Sequence, residues 1–557
     1  MINIKQTKSQ ESSNAIERLY IAMRHLFNRG FYKPMGVSGE TLREALLALR
    51  PEIYGSIADE KAELDGLLYI IDRLPIGIEE CQFIDLTADE GLSTSDFEVI
   101  IPSKRRRNCY RIDSHQMNIE VTRGRSDIYD ILTHLTFLFI ESYKIKDNVL
   151  LNDQGKTIRE WSILEEMVLL NKKVTNKERE VLLSHVATIL GRTFTEIKKA
   201  DKDFATYNNK NRFFSLIYWM GKLAINEVLN NEKRSIKFSA TLRERIGHHI
   251  YGEVWADTIK QNLEKEGLID REIHIISANM HSVMNSIYAP IFLKEEAKIN
   301  KDIALFELLS EEGNKALRKK VKKAASKMGL VYIKDKSKTN INVQIIDTSK
   351  IKFQESNYTV TNKNNPVLIV MDYAFGEQAY ETMDELLKPY VCEKGNLHHL
   401  NVKSVSIMGK AGILQGGKGD IMIPSAHFFE GTADNYPFKN ELTKKDLDGF
   451  GLGVFDGTMV SVLGTSLQNK DLLEFFKNST WNAIGLEMEG AHYQKAIQAA
   501  SQIRGNIGKD VKVRYAYYAS DNPLETGSTL ASGGLGTTGV KPTYIITQKI
   551  LEQIFNS

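Results

Sequence analysis

The sequence predicts an α/β domain on a mixed, mostly parallel sheet in its C-terminal part, preceded by a mainly α-helical region. Two observations predict the sheet and a third places its edge. From about Asn340 onward, apolar runs of strand length alternate with helical patterns. Ahead of that point, most apolar residues recur at helical spacing. Between the two, Lys334 to Thr339 is polar and lysine-rich, the composition of a linker. The expected division is therefore a helical region over residues 1–335, as one or two subdomains, and the α/β domain over 340–557. Strands alternating with helices imply helices on both sheet faces, three layers in all.

The helical region begins with Ser12 to Phe27, where Ile16, Leu19, Tyr20, Met23 and Phe27 share one face. Further helices are expected over Glu40 to Leu49, Glu60 to Asp72, Ile128 to Ser142, Ile158 to Leu170, Lys177 to Leu190, Asn211 to Leu229 and Tyr251 to Glu266. Phe97 to Val121 is a short β-like patch, and Ile273 to Ile276 reads as a strand. Glu311 to Met328 is a basic amphipathic helix whose lysines read first as a solvated face. Lys104 to Arg107 reads first as a surface loop. In the α/β part, strands are expected over Asn342 to Ile346, Val367 to Met371, Val402 to Met408, Asp420 to Ile423, Ala483 to Glu487 and Val511 to Tyr518. Helices fit Gln378 to Leu387, Lys470 to Lys477, Ala491 to Ala500 and Thr543 to Phe555.

The totals exclude several classes of function. Lys+Arg number 73 against Asp+Glu 71 in 557 residues, so charge balance demands neither a nucleic acid nor an acidic membrane. The 3 cysteines, Cys81, Cys109 and Cys392, are far apart and show no zinc spacing, so no metal and no other cofactor is expected. Met1 to Gln6 lacks the apolar core of a signal peptide, and no run is apolar enough to span a bilayer. The expectation is a cytoplasmic protein with no membrane partner.

Four motifs sit at expected strand ends, where α/β sheets place ligands. Val405 to Met408 runs into Gly409-Lys410-Ala411-Gly412, glycines that let a backbone approach a ligand closely. Leu486-Glu487-Met488-Glu489-Gly490 offers two carboxylates as acceptors for a vicinal diol and a methionine as a soft apolar wall. Tyr517-Tyr518-Ala519-Ser520-Asp521-Asn522 delivers an aspartate that partial burial would turn into a general acid. Asp372 to Gln378 carries Glu377, either a water-orienting base or an ordinary helix-start glutamate, the second being preferred. Taken singly, the first and third motifs are more often a tight turn and an Asx turn, and the second is evenly balanced.

Together and in this order, the motifs resemble the nucleoside phosphorylase and nucleosidase superfamily over about 220 residues. Gly-x-Ala-Gly followed by Gly419-Asp420-Ile421, the Glu-Met-Glu triplet and the Ser-Asp pair each match a pattern of that family. Ser520-Asp521-Asn522-Pro523-Leu524 looks most like the corresponding stretch of AMP nucleosidase. The resemblance implies cleavage of the N-glycosidic bond of a purine nucleoside or nucleotide. Asp521, oriented by Ser520, would serve N7 of the leaving base. Glu489 and Glu487 would hold the ribose, and Met488 would pack on it. Gly409, Lys410, Ala411 and Gly412 would line the site, and Glu377 would help a water. The resemblance further implies a homo-oligomer.

The sequence departs from the phosphorylases where Ile407 stands in place of an arginine and where Asp372 to Gln378 contains none. An attacking phosphate needs cations, so water is the expected nucleophile, with phosphate as the alternative. Lys410 suits a 5′-phosphate, an attacking phosphate or an ion pair with Glu487 or Glu489. A nucleotide-sensing or assembly protein with weak catalysis is the reading of a different class.

Overall fold

A computed structural model describes residues 7–172, 174–297, 302–392, 394–432, 434–530 and 535–556; Met1 to Gln6 lie outside them. The chain divides into two compact units. The first comprises residues up to Thr122, Asp127–Ile246 and Gly464–Leu472; the second comprises Arg123–Ser126, Gly247–Leu463 and the chain from Leu473 onward.

The first unit carries long helices, among them Lys8–Arg29, Asn176–Leu190 and Arg212–Leu229. Their ends follow local chemistry. Thr175 and Glu178 close a capping box at the start of Asn176–Leu190, and Gly191 ends that helix in the left-handed region at φ 64°. The unit is mainly helical, as the spacing predicts, and its described residues also hold a 6-stranded sheet. Its strands are β1 (Phe31–Tyr32), β2 (Phe83–Thr87), β3 (Val99–Ile100), β4 (Cys109–Arg111), β5 (Gln116–Glu120) and β6 (Ser235–Phe238), in the order β1-β6-β2-β5-β4-β3. β3, β4 and β5 fall within the expected β-like patch Phe97 to Val121, whereas β1, β2 and β6 are two to five residues long and β6 lies more than a hundred residues from its neighbour β2, so no local pattern announces those three. Ile84, Leu86, Met117, Ile119 and Ile236 bury one face. The basic run Lys104 to Arg107 is not a plain surface loop. Arg107 is buried and donates to Asp127 and Asp130 at 2.7 Å each, and Arg105 pairs with Asp130 at 2.8 Å.

The second unit contains β7 (Ile273–Ser277), β8 (Leu330–Ile333), β9 (Val343–Asp347), β10 (Val367–Met371), a two-stranded ribbon of β11 (Tyr390–Val391) and β12 (Leu397–His398), β13 (Val402–Ile413), β14 (Ile421–Phe429), β15 (Asn435–Pro437), β16 (Val454–Ser461), β17 (Ala483–Glu487) and β18 (Lys512–Asp521). The 10-stranded sheet runs β15-β14-β16-β17-β13-β7-β10-β9-β8, with β18 bridging β13 and β14. Pairing is mixed: β7 is parallel to β10 and to β13, while β9 is antiparallel to β8 and β10. Five of the strands close on themselves, β13 to β18, β14, β16, β17 and back to β13. Alternate side chains go to opposite faces. Val367, Ile369 and Met371 join a core with the helices Ile250–Lys265, Gln378–Leu386 and Gly490–Gln498. Leu368 and Val370 join one with Met280–Ala297, Lys315–Lys327 and Val540–Phe555.

Further expectations change here. Lys334 to Thr339 is a hairpin turn between β8 and β9, not a linker. Asp335 accepts from the backbone N–H groups of Ser337 at 2.9 Å and Asn340 at 2.8 Å, which ties the turn down. The division between units falls at Ile246/Gly247 rather than between 335 and 340, so β7 and the basic helix belong with the α/β sheet. Gly409 to Gly412 is not a turn after a strand ending at Met408. β13 continues through it to Ile413, with a register shift between Ala411 and Gly412. The glycines are there because neighbours come close. A Cβ on Gly409 would stand 2.7 Å from the Tyr373 ring, and one on Gly412 3.0 Å from Leu486.

Candidate functional site

β13 is the spine of the candidate site. Gly412 pairs with Leu486 of β17 on one side and with Asp521 of β18 on the other. Paired strands lie about 4.8 Å apart, so the ends of β17 and β18 stand roughly 10 Å from each other across one backbone. The Gly-x-Ala-Gly, Glu-Met-Glu and Ser-Asp motifs are thereby brought together.

On the β18 edge, Asp521 is buried at 1 % exposure. The Ser520 hydroxyl lies 2.5 Å from Asp521 Oδ1 and 3.1 Å from the Ala411 carbonyl, so its single proton serves one or the other. Asp521 Oδ2 is buried with no hydrogen-bond partner among the described residues. Burial pushes the carboxyl up to about 6, against the pull of the Ser520 hydroxyl and of Lys410 and Lys418. The result is an acid poised near neutrality with one oxygen unengaged.

On the β17 edge the two glutamates differ. Glu487 has both oxygens engaged: the Ser461 hydroxyl donates to Oε1, and the backbone N–H groups of Glu489 (2.6 Å) and Gly490 donate to Oε2. Burial still pushes it up to about 7. Its carboxylate holds the start of helix Gly490–Gln498, the place where an acid is favoured. Glu489 accepts from the Gly376 N–H at 2.9 Å and from the Met488 N–H at 3.3 Å, one of these donors to each oxygen. Met488 is buried at 6 % exposure, its methyl group beside Gly376.

The fourth motif follows β10. The Tyr373 ring covers Gly409, and its buried phenol, raised by burial and by Glu489 and Glu487, has no hydrogen-bond partner among the described residues. Gly376 has φ 55°, and a Cβ there would overlap Ser126, so the position accepts only glycine without strain. Glu377 is engaged. Arg125 pairs with Oε1 at 3.0 Å, its backbone N–H donates to Oε2 at 3.0 Å, and the Glu377 N–H donates to Ser126 Oγ at 2.9 Å. Both of its carboxylate oxygens are thus engaged by Arg125.

Sequence reasoning missed Arg123, Arg125 and Tyr373. The cations absent from Asp372 to Gln378 arrive from about 250 residues away. The Arg123 guanidinium lies 4.6 Å from the centre of the Phe375 ring and is buried. The one local signal is Arg123-Gly124-Arg125, with Gly124 at φ 76°. Lys410 is exposed and points away from Gly409, into a cavity with Tyr518. His249, Asp384 and Glu385 bring ligand atoms within 4.8 Å of one another, but Lys388 already pairs with Glu385 at 2.6 Å and Arg504 with Asp384.

One protein-family profile, described as a family of unknown function (DUF6909), matches residues 40–308 and 304–556. The chain belongs to this family. No curated protein matches it in sequence. Among solved structures, a futalosine hydrolase mutant of Helicobacter pylori is similar at 14 % identity and TM-score 0.30, covering 51 % of this chain and 98 % of that one. Helicobacter pylori MTAN is similar at 14 % and 0.30, covering 51 % and 99 %. The 5′-methylthioadenosine/S-adenosyl homocysteine nucleosidase of Campylobacter jejuni is similar at 12 % and 0.30, covering 51 % and 98 %. Likeness of that degree assigns no activity to this chain. Among the described residues, no helix is long and apolar enough to cross a membrane.

Proposed function

We propose that this chain cleaves the N-glycosidic bond of a purine nucleoside or nucleotide, with water as nucleophile, and releases the free base. The observation that carries the proposal is the arrangement across β13: a buried acid near neutrality, one of whose oxygens has no hydrogen-bond partner among the described residues, with the Glu489 carboxylate and a methionine wall on the opposite side. Asp521 donates a proton or hydrogen bond to N7, which makes the purine a better leaving group. The Ser520 hydroxyl follows its charge state, turning to Asp521 Oδ1 once the proton has left. Glu489 accepts from the ribose hydroxyls and, by its charge, stabilises the oxocarbenium-like centre. Met488 packs on the sugar. Water then adds to the anomeric carbon and gives up a proton to solvent, and Asp521 regains its proton from solvent for the next turnover. Glu377 is left out of this scheme because Arg125 occupies it.

Phosphate as the nucleophile is the second reading, favoured by Arg123 lying beside the segment that carries Gly376. Incubation with adenosine, inosine, AMP and methylthioadenosine, with and without inorganic phosphate, separates the two. Free base without phosphate supports hydrolysis; base released only with phosphate, together with ribose 1-phosphate, supports phosphorolysis. Failure to release base from any of them overturns the proposal and leaves a nucleotide-binding protein.

A further inference from the structure

The cavity that Lys410 enters has a volume of about 660 Å3, within the range of small-molecule sites. It lies wholly in the second unit, over the segment after β7 and against Tyr518 of β18, three residues before Asp521. Its charge is one-sided. Lys315, Arg318, Lys319 and Lys322 line it from helix Lys315–Lys327, and Lys410 faces them from β13; Glu312 is the one carboxylate among the lining residues. Positions 315, 318, 319 and 322 fall on one helix face, where like charges repel. Arg318 is fixed, donating to the carbonyls of Leu309 at 2.8 Å and Glu311 at 2.6 Å, so it adds field rather than free donors. Lys315, Lys319 and Lys410 are exposed, and Lys322 sits 4.2 Å over the Tyr332 ring. The remaining wall is largely apolar, with Met284, Leu535, Val540 and Tyr544.

A cation cluster beside an apolar wall in a cavity of this size suits an organic molecule that carries a phosphate, and the room far exceeds what a lone phosphate needs. We propose that the cavity takes the phosphoryl group of a 5′-phosphorylated nucleoside, held by Lys315, Lys319, Lys322 and Lys410. Nucleotides are then the substrate class. The substrate part of this inference rests on the cleavage reading above; the phosphate site does not. The basic face of the helix, a solvated surface when read from sequence, is here the wall of a cavity.

The test uses the full chain and a variant combining Lys315→Glu, Lys319→Glu and Lys322→Glu, with its fold checked by circular dichroism. Base release is compared for AMP against adenosine and for IMP against inosine. The wild type should favour nucleotide over nucleoside by about 100-fold in kcat/KM, and the variant should lose that preference. AMP binding to the wild type should also weaken steeply with added salt, a readout that stands if the variant misfolds. Equal turnover of nucleotide and nucleoside, with salt-insensitive AMP binding, overturns the inference while leaving cleavage intact. AMP binding that needs the lysines, with no base released from any substrate, keeps the phosphate site and overturns the cleavage reading. A strict requirement for inorganic phosphate with no gain from the 5′-phosphate also overturns the inference, because the cavity's anion is then the nucleophile.

Discussion

Glu487 and Asp521 are both buried carboxyls at strand ends beside β13, and burial pushes them up to about 7 and about 6 respectively. They are nevertheless different kinds of group. Glu487 spends both oxygens on Ser461 and on the first N–H groups of a helix. Asp521 has one oxygen near Ser520 and the other buried without a partner among the described residues. A raised pKa is thus common to a structural and a candidate catalytic carboxyl; the unengaged oxygen separates them.

Replacing Asp521 should break this contrast most severely. Asp521→Asn should lower base release by about 10² to 10⁴-fold while leaving the thermal midpoint close to wild type. Undiminished turnover would sink its assignment as the acid. Glu489→Gln comes next, with about 10 to 100-fold lost in kcat/KM, because charge beside the developing cation is removed while hydrogen bonding is partly kept. The pH profile is a subtler probe. Base release should fall as pH rises through about 6, where Asp521 loses its proton, and this limb should vanish in Asp521→Asn. Stability follows the same sign. Asp521 titrates higher folded than unfolded, so its contribution is fully present below about 4 and is lost as pH rises through about 6. Urea titrations of wild type and Asp521→Asn at pH 4.5 and 7.5 should show the two converging or crossing as pH rises.

Glu487 should show its effect in stability. Glu487→Ala leaves a hydroxyl and two backbone N–H groups short of an acceptor and should cost about 1–3 kcal/mol in chemical denaturation. Glu487→Gln should keep turnover within about tenfold, since an amide retains one oxygen for the helix start. A loss as large as that of Glu489→Gln would erase the contrast. The smallest effect is expected at Glu377. Glu377→Gln loosens a partly exposed pair with Arg125 and should cost under about 1 kcal/mol, with turnover within about threefold. A large kinetic loss there would return it to the role of water-activating base.

Much of the second unit is legible in the sequence. Val367–Met371 and Ala483–Glu487 have the bounds their composition predicts, because fully buried strands are continuous apolar runs. Val454–Ser461 is not legible in this way, since Asp456, Gly457 and Thr458 interrupt its pattern where it packs beside β14 and β17. In the first unit, β3 to β5 show in the β-like patch Phe97 to Val121, but β1, β2 and β6 are short and pair over long separations, so that half of the sheet is hidden from a local reading. The turn Lys334 to Thr339 misleads because a hairpin turn and a linker share one composition.

By itself the sequence determined the α/β alternation of the second unit and the residue types at its strand ends, including Gly409 to Gly412, Glu487 to Glu489 and Ser520-Asp521. Those are local properties, set by periodicity and by which side chains a strand delivers to a loop. Tertiary structure alone decided that β13 joins these motifs, that Arg125 claims Glu377, and that Lys410 shares a cavity with a basic helix. It also decided which buried oxygen is left without a partner among the described residues. Such facts depend on pairing between residues far apart in the chain, and no local pattern of charge or hydropathy records with whom a side chain ends up.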